Sequence, residues 1–455
     1  MAAASLAALS CTKENISSPA QDGQPDGKIT FSAGFEDIAT KTNLAQDGAG
    51  EYTKMVWSAG DVIGIFDKNG KPQPFTTEAG GASAVFTGAA EAPSDRWYAF
   101  YPYREDAKIS TSKGLETYVP EIQYAKKDGV SDNVTLLQAR CDLDKTSFTF
   151  SHVCGLVRVN VPEGCIAVTI DFPDAQASEK NACALAGGFA SAFNYDWTMY
   201  RTDMWYRSVT LVAPEGGAMA EGNYYIAVLP VNYTGKVMLT MRRNDGKISI
   251  KQADGLQVGA GEVRPINVTP VWEDDLGVVI YNGEKNIGYW WDGSDIAGVP
   301  SVQLDEVEDE KVIGSKSIRW ELTAEKAWTG YLRFHGDNGR PLDTYLNDYA
   351  IEYYVKANRT ALDAQTGWEI IYHSFAGLDN KMPVYRTGVY QGINCLNNTD
   401  WHRVSIPLKD VFPANYTFSG MQMHILPDSD SKAAAAKGSV YYVNDVRIIK
   451  KTATK

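Results

Sequence analysis

Hydrophobic residues recur at alternate positions from Lys28 onward, in the runs KITFSAGF, MVWSAGDVIGIF, ASAVFTGAA and RWYAFYPY. Successive side chains of a strand point to opposite faces, so this period of two predicts strands with one face in a core. Gly, Asp, Asn and Pro separate the runs and predict tight turns. The last third repeats the pattern in SIRWELTAE, TGYLRFHG, YAIEYYVKAN, GWEIIYHSF, WHRVSIPL, SGMQMHIL and VYYVNDVRII. The fold class read from this rhythm is all-β, built from sandwiches of short strands.

The polar run VWEDDL at Val271 to Leu276 interrupts the rhythm and sets a domain boundary. The expected organisation is 1–27 as a leader remnant and linker, 28–160 and 161–273 as two sandwiches, and 274–455 as a third. A length of 455 residues fits about three domains. Hydrophobic residues at 44%, with 25 Tyr and 40 Gly, favour strands and turns over long helices. The net charge of −13 argues against nucleic acid, whose phosphates call for clustered Lys and Arg. It leaves uncharged ligands such as sugars open.

Several motifs carry a resemblance. Trp57 to Asp61 followed by VIGIF, then Phe86 to Gly88 and YAFYPY at Tyr98 to Tyr103, are similar to the fimbrillin-like fold of Bacteroidota surface lipoproteins and fimbrial subunits. ATKT at Ala39 to Thr42 fits the same pattern. GNYYIAVLPV at Gly222 to Val231, the DGK turn at Asp245 to Lys247 and GAGEVRPINV at Gly259 to Val268 resemble a second such unit. The resemblance implies paired transthyretin-like sandwiches acting as fimbrial subunits, anchors or stalks, with Trp57 in the core. It brings no catalytic residue.

After the boundary, WHRVSIPL at Trp401 to Leu408 and YYVNDVRI at Tyr441 to Ile448 resemble the jelly roll of carbohydrate-binding modules and galactose-binding-like domains. Trp320, Trp368 and Trp401 alternate with apolar residues and are expected in its core. Asp445 matches a position at which related modules hold a structural calcium ion. One carboxylate alone is not a site, so the metal stays open and no other cofactor is expected.

Sugar recognition calls for a flat ring against the C–H face of a pyranose and polar side chains for its hydroxyls. The candidate carbohydrate-binding residues are Tyr289, Trp290, Trp291 and Asp292 in GYWWDG, and Trp328, Tyr331 and Arg333 around TGYLRF. Tyr385, Arg386 and Tyr390 follow in PVYRTGVYQG, then Gln422 and His424 on one face of MQMHIL. Three adjacent rings in GYWWDG exceed what one buried face uses, so at least one of Tyr289, Trp290 and Trp291 is expected to meet ligand.

Enzyme signals are weak. DEVEDE at Asp305 to Glu310 offers alternate acids, and a retaining glycosidase needs two carboxyl groups about 5–5.5 Å apart. A dense acidic run is more commonly a solvated loop. The chain has no G-x-S-x-G, H-E-x-x-H or phosphate-loop motif, and no C-x-x-C pair or His-rich zinc spacing.

LAALSC at Leu6 to Cys11, followed by the polar TKEN, resembles a bacterial lipoprotein signal with Cys11 as the lipidated residue. CTKEN is similar to the export signal that sends Bacteroidota lipoproteins to the outer face. Together the resemblances imply a non-catalytic, outer-membrane, cell-surface lipoprotein that captures polysaccharide or oligosaccharide. Its expected partners are the glycan, an outer-membrane transporter and surface glycoside hydrolases, with no nucleic acid. The alternatives are a fimbrial tip or anchor adhesin and, third, a hydrolase or lyase in the last domain.

Overall fold

The structure is a computed structural model. It describes residues 28–36, 56–110, 114–131, 134–193, 199–275, 277–284, 290–291, 295–296, 299–300, 302–323, 325, 330–341, 345–358, 373–377, 385–386, 399–410, 412, 417–425 and 429–452. These residues form an all-β chain with two short α-helices, Lys180–Cys183 and Asp430–Ala436. No described helix is long and apolar enough to cross a membrane.

Seven strands of the first part close on themselves. Their order is Ile29–Phe35, Ser147–His152, Leu137–Asp142, Arg96–Tyr101, Val62–Phe66, Pro72–Thr76 and Ser83–Gly88, which pairs back to Ile29–Phe35. Alternation puts Phe31, Phe75, Phe86, Trp97 and Phe150 inside. Trp57 joins them, its indole N–H donating to the Ala33 carbonyl at 2.9 Å, which satisfies the one polar atom the ring buries. Gly64 is required by packing, because a Cβ there would lie 2.2 Å from the Phe100 ring.

The next part is layered from three sheets. One runs Gly222–Val228, Gly155–Val161 and Val263–Ile266. The largest runs Glu273–Asp274, Lys247–Val258, Val231–Arg243, Cys165–Asp171, Ser208–Val212 and Ile122–Tyr124. The third runs Met199–Tyr206, Ala186–Ala192, Gly114–Val119 and Lys108–Ile109. Residues from both sides of position 160 therefore meet: Gly114–Val119 pairs with Ala186–Ala192, and Ile122–Tyr124 pairs with Ser208–Val212.

The last part is a two-sheet sandwich. Its first sheet orders Val302–Val307, Ser317–Leu322, Val440–Lys450, Tyr349–Ala357 and His402–Pro407, with Val278–Tyr281 also on Val440–Lys450. Its second orders Trp290–Trp291, Gly330–Pro341, Thr417–Ile425, His373–Gly377 and Tyr385–Arg386. Each run read as a strand in this part of the sequence overlaps one, GWEIIYHSF only at His373 to Phe375, its earlier residues lying outside the described ones. Trp320 and Trp401 are buried as expected, and Trp368 lies outside the described residues.

The central strand Tyr349–Ala357 of the first sheet is buried on both faces. Ile351, Tyr353 and Val355 belong to the core cluster that also holds Leu332, Phe334 and Met423 of the second sheet. Glu352 and Tyr354, on the alternate positions, face the preceding part instead. There Tyr354 packs with Ile122, Ala167 and Val212. Around that apolar patch lies a buried ionic network. Arg242 meets Asp445 at 2.8 Å, and Arg403 meets Glu352 at 2.7 Å and Asp171 at 3.5 Å. Lys451 also reaches Glu352. Glu121 accepts from the Ser208 hydroxyl at 2.6 Å and from the backbone N–H of Arg403 at 3.2 Å. A charge taken from water must be paired to be tolerated, and these pairs join elements far apart in sequence.

Candidate functional site

Strand register in the second sheet of the sandwich assembles most of the candidate binding residues. Trp291 pairs with Arg333, Arg333 with Gln422, and Gln422 with Ala376. Two positions along, Tyr331 pairs with His424, His424 with Ser374, and Ser374 with Arg386. Directly paired residues share a face, and so do residues two apart on one strand. Trp291, Tyr331, Arg333, Gln422, His424 and Arg386 therefore occupy one face in two adjacent rows.

The opposite face is fixed by residues whose burial is plain. Leu332, Phe334 and Met423 are fully buried in the sandwich core. Trp290 is the register partner of Phe334, and Tyr385 pairs with Phe375, which pairs with Met423. Those two candidates thus stand at core-face positions. Tyr289, Asp292, Trp328 and Tyr390 lie outside the described residues. Five strands at about 4.8 Å spacing make the face about 19 Å across.

The six residue types on that face are an indole, a phenol, two guanidinium groups, an amide and an imidazole. They supply flat rings and hydrogen-bond donors and acceptors. Among the described residues no Asp or Glu occupies a position in the two rows, so these positions hold no carboxylate pair for glycoside hydrolysis.

The acidic run falls elsewhere. Asp305 and Glu306 lie on the edge strand Val302–Val307 of the first sheet, and the strand ends before Glu308 and Glu310. Those three glutamates consequently do not line one strand face. Glu306 accepts the Tyr281 hydroxyl at 3.2 Å and pairs with Lys316 at 3.5 Å, while Glu310 pairs with Lys356 at 2.7 Å. These are structural contacts of a polar edge.

Asp445 is fully buried, one carboxylate oxygen against Arg242 and the other against Arg447. Among the described residues no group of three or more His, Cys, Asp and Glu side chains gathers as a metal site. Cys141 and Cys165 are free thiols. Burial pushes the thiols of Cys141 and Cys165 up to about 12, so neither is a thiolate near neutral pH.

A feature that the residue patterns did not reveal is a cleft of about 330 Å³ between the sandwich and the preceding part, lined by Arg104, Tyr124, Lys356, Asp400 and Trp401 among others. These residues are dispersed over some 300 positions of sequence, and only the docked fold brings them together.

Residues 277–450 match the family described as Carbohydrate binding domain 30. The C-terminal part of the chain carries a carbohydrate-binding domain of this family, which is a binding module rather than a catalytic one. A solved family 30 carbohydrate binding module is 15% identical, with 40% of this chain and 90% of that chain covered and a TM-score of 0.28. A Bacteroides uniformis protein, provisionally assigned to cell adhesion, is 15% identical over 55% of this chain and 99% of that one, with a TM-score of 0.31. A Bacteroides ovatus protein with the same provisional assignment is 17% identical over 48% and 88%, with a TM-score of 0.29. Likenesses this distant do not bear on function. No curated protein matches the chain.

Proposed function

We propose that the protein is a non-catalytic glycan-binding lipoprotein of the cell surface, anchored through Cys11, which captures polysaccharide or oligosaccharide for uptake. The observation that carries this reading is the coincidence of two facts. Residues 277–450 match a carbohydrate-binding family, and register gathers Trp291, Arg333 and Gln422 beside Tyr331 and His424 at positions alternate to the buried Leu332, Phe334 and Met423. Among the described residues, the two rows offer ring-bearing and hydrogen-bonding residue types and no carboxylate pair, which is the chemistry of holding a sugar rather than cutting it.

In this reading the two N-terminal units form a fimbrillin-like stalk, and the glycan is passed to an outer-membrane transporter and surface glycoside hydrolases. Copies tethered to one membrane bind a polymer at raised effective concentration, so weak single-site affinity is enough. Binding needs no cofactor.

Affinity electrophoresis of the full chain against a panel of neutral and acidic polysaccharides tests the proposal, with a Trp291→Ala, Arg333→Ala double variant run alongside. Retardation of the wild type, lost in a variant with unchanged circular dichroism and Tm, and no release of reducing ends, is the expected result. Failure to bind any polysaccharide, or release of reducing ends by the wild type, would overturn it.

A further inference from the structure

The cleft between the sandwich and the preceding part has the make-up of a second sugar site. Its lining includes Ile122 and Trp401, which belong to the apolar cluster joining the two parts. Tyr124 lines it with 44% of its surface exposed, a large aromatic only partly covered. Leaving such a ring open forgoes burial at roughly 25 cal/mol per Å², which a ligand can restore.

The walls carry charge of both signs in balance: Arg104, Lys311 and Lys356 against Asp309, Glu310 and Asp400. Lys356 and Glu310 already pair at 2.7 Å, and Arg104 lies over the Tyr118 ring at 4.1 Å. A balanced wall attracts neither polyanions nor cations, yet presents donors and acceptors close together. A sugar hydroxyl both donates and accepts, so a paired cation and carboxylate satisfy it from two sides. A volume of about 330 Å³ falls at the lower end of the range of ligand pockets.

We propose that this cleft binds a neutral saccharide, with Tyr124 as the stacking ring and Arg104, Asp400 and the Lys356–Glu310 pair as the hydroxyl-binding groups. The site lies against the first sheet of the sandwich, on the side away from the Trp291 and Arg333 rows. The buried ion pairs that dock the two parts hold its walls in place, so little ordering is left to ligand binding. The inference takes its ligand class from the glycan-binding reading but places a separate site.

Calorimetry of the full chain with cellohexaose, laminarihexaose, xylohexaose and mannohexaose tests it, using Tyr124→Ala, Tyr124→Phe and the Trp291→Ala, Arg333→Ala variant. The expected result is binding of at least one oligosaccharide at two sites per chain. Tyr124→Ala then weakens one site about tenfold or abolishes it, Tyr124→Phe retains it, and the sheet variant leaves it intact. The exposure of Tyr124 makes both substitutions compatible with folding, which an unchanged Tm verifies. Binding abolished by the sheet variant and indifferent to Tyr124→Ala would overturn the cleft and leave the sheet reading standing. Binding sensitive to Tyr124→Ala alone would support the cleft and take the sheet reading down. No binding of any of the four would overturn the cleft as a neutral-saccharide site, while the polysaccharide panel still decides the sheet reading.

Discussion

The carboxylate of Asp445 lies 2.8 Å from the guanidinium of Arg242, 203 positions earlier in the chain, and both side chains are buried. Asp445 takes a left-handed backbone conformation, φ 51°, at a register shift between Val440–Lys450 and Tyr349–Ala357. A bulge of this kind turns a side chain out of its regular alternation, and here it aims the acid across the contact between the two parts.

The two halves of this pair are not equivalent. Asp445 keeps Arg447 if Arg242 is removed, whereas Arg242 loses its only carboxylate at ion-pair distance among the described residues if Asp445 is removed. Asp445→Ala is therefore expected to cost more than Arg242→Ala, with the former near the ~3–5 kcal/mol typical of stranding a buried charge. Replacing both by apolar residues, Arg242→Met with Asp445→Leu, is expected to cost less than Asp445→Ala alone. Chemical denaturation of the three variants checks the order. Equal losses from both single variants would contradict it.

Acid is expected to loosen the same contact. Burial by itself would raise the carboxyl groups of Asp445 and Glu352, but Arg242 and Arg447 for the first, and Arg403 and Lys451 for the second, outweigh it and hold both below the usual carboxylate range. A depressed carboxyl stabilises the fold fully above its unfolded value near 4 and loses that contribution as pH falls through the folded value. Thermal unfolding between pH 6 and pH 2.5 is expected to show Tm falling chiefly below pH 4. Asp445→Asn is expected to flatten that fall from a lower starting point.

His152 governs a different window. Burial lowers its imidazole to about 4 from the usual 6.5, so the unfolded chain takes up a proton between these values that the folded one refuses. Stability consequently declines as pH drops from 6.5 to 4, by about 1–3 kcal/mol from this group. In His152→Gln the decline over that interval is expected to shrink, with the change below pH 4 retained. Urea titrations at pH 7, 5.5 and 4 separate the two windows.

Much of this architecture is visible in residue order, and the reason is local. The period-two runs from Ser317 to Ile449 each overlap a strand where they are described, because alternation is set by neighbours on one chain segment. The same logic separates Met423, fully buried, from its strand neighbours Gln422 and His424, which lie at alternate positions. Pairing partners are a different matter. Nothing within Gly114–Val119 tells it to join Ala186–Ala192, and nothing in DEVEDE states that its strand stops at Val307. Trp401 is buried at the docking contact and also lines the cleft, although its alternation with apolar neighbours marks only the burial. Asp445 likewise looks like a lone acid in VNDVRI until Arg242 is brought to it by the fold. Long-range contacts of this kind are decided by how whole faces complement one another.

Glycan binding is expected to survive chelation. Calcium needs six to eight oxygen ligands and gathers carboxylates free to give them. Asp445, whose motif resembles the calcium-holding position of related modules, has a guanidinium against each oxygen, so a divalent cation there would face two positive charges in place of the second and third carboxylates it requires. The measurement is affinity for a bound polysaccharide, together with Tm, before and after EDTA and then with calcium restored. Both quantities are expected to stay unchanged throughout. A fall on chelation reversed by calcium would mean that an ion is held by other side chains and supports the binding face, and Asp445→Asn would then leave that response intact.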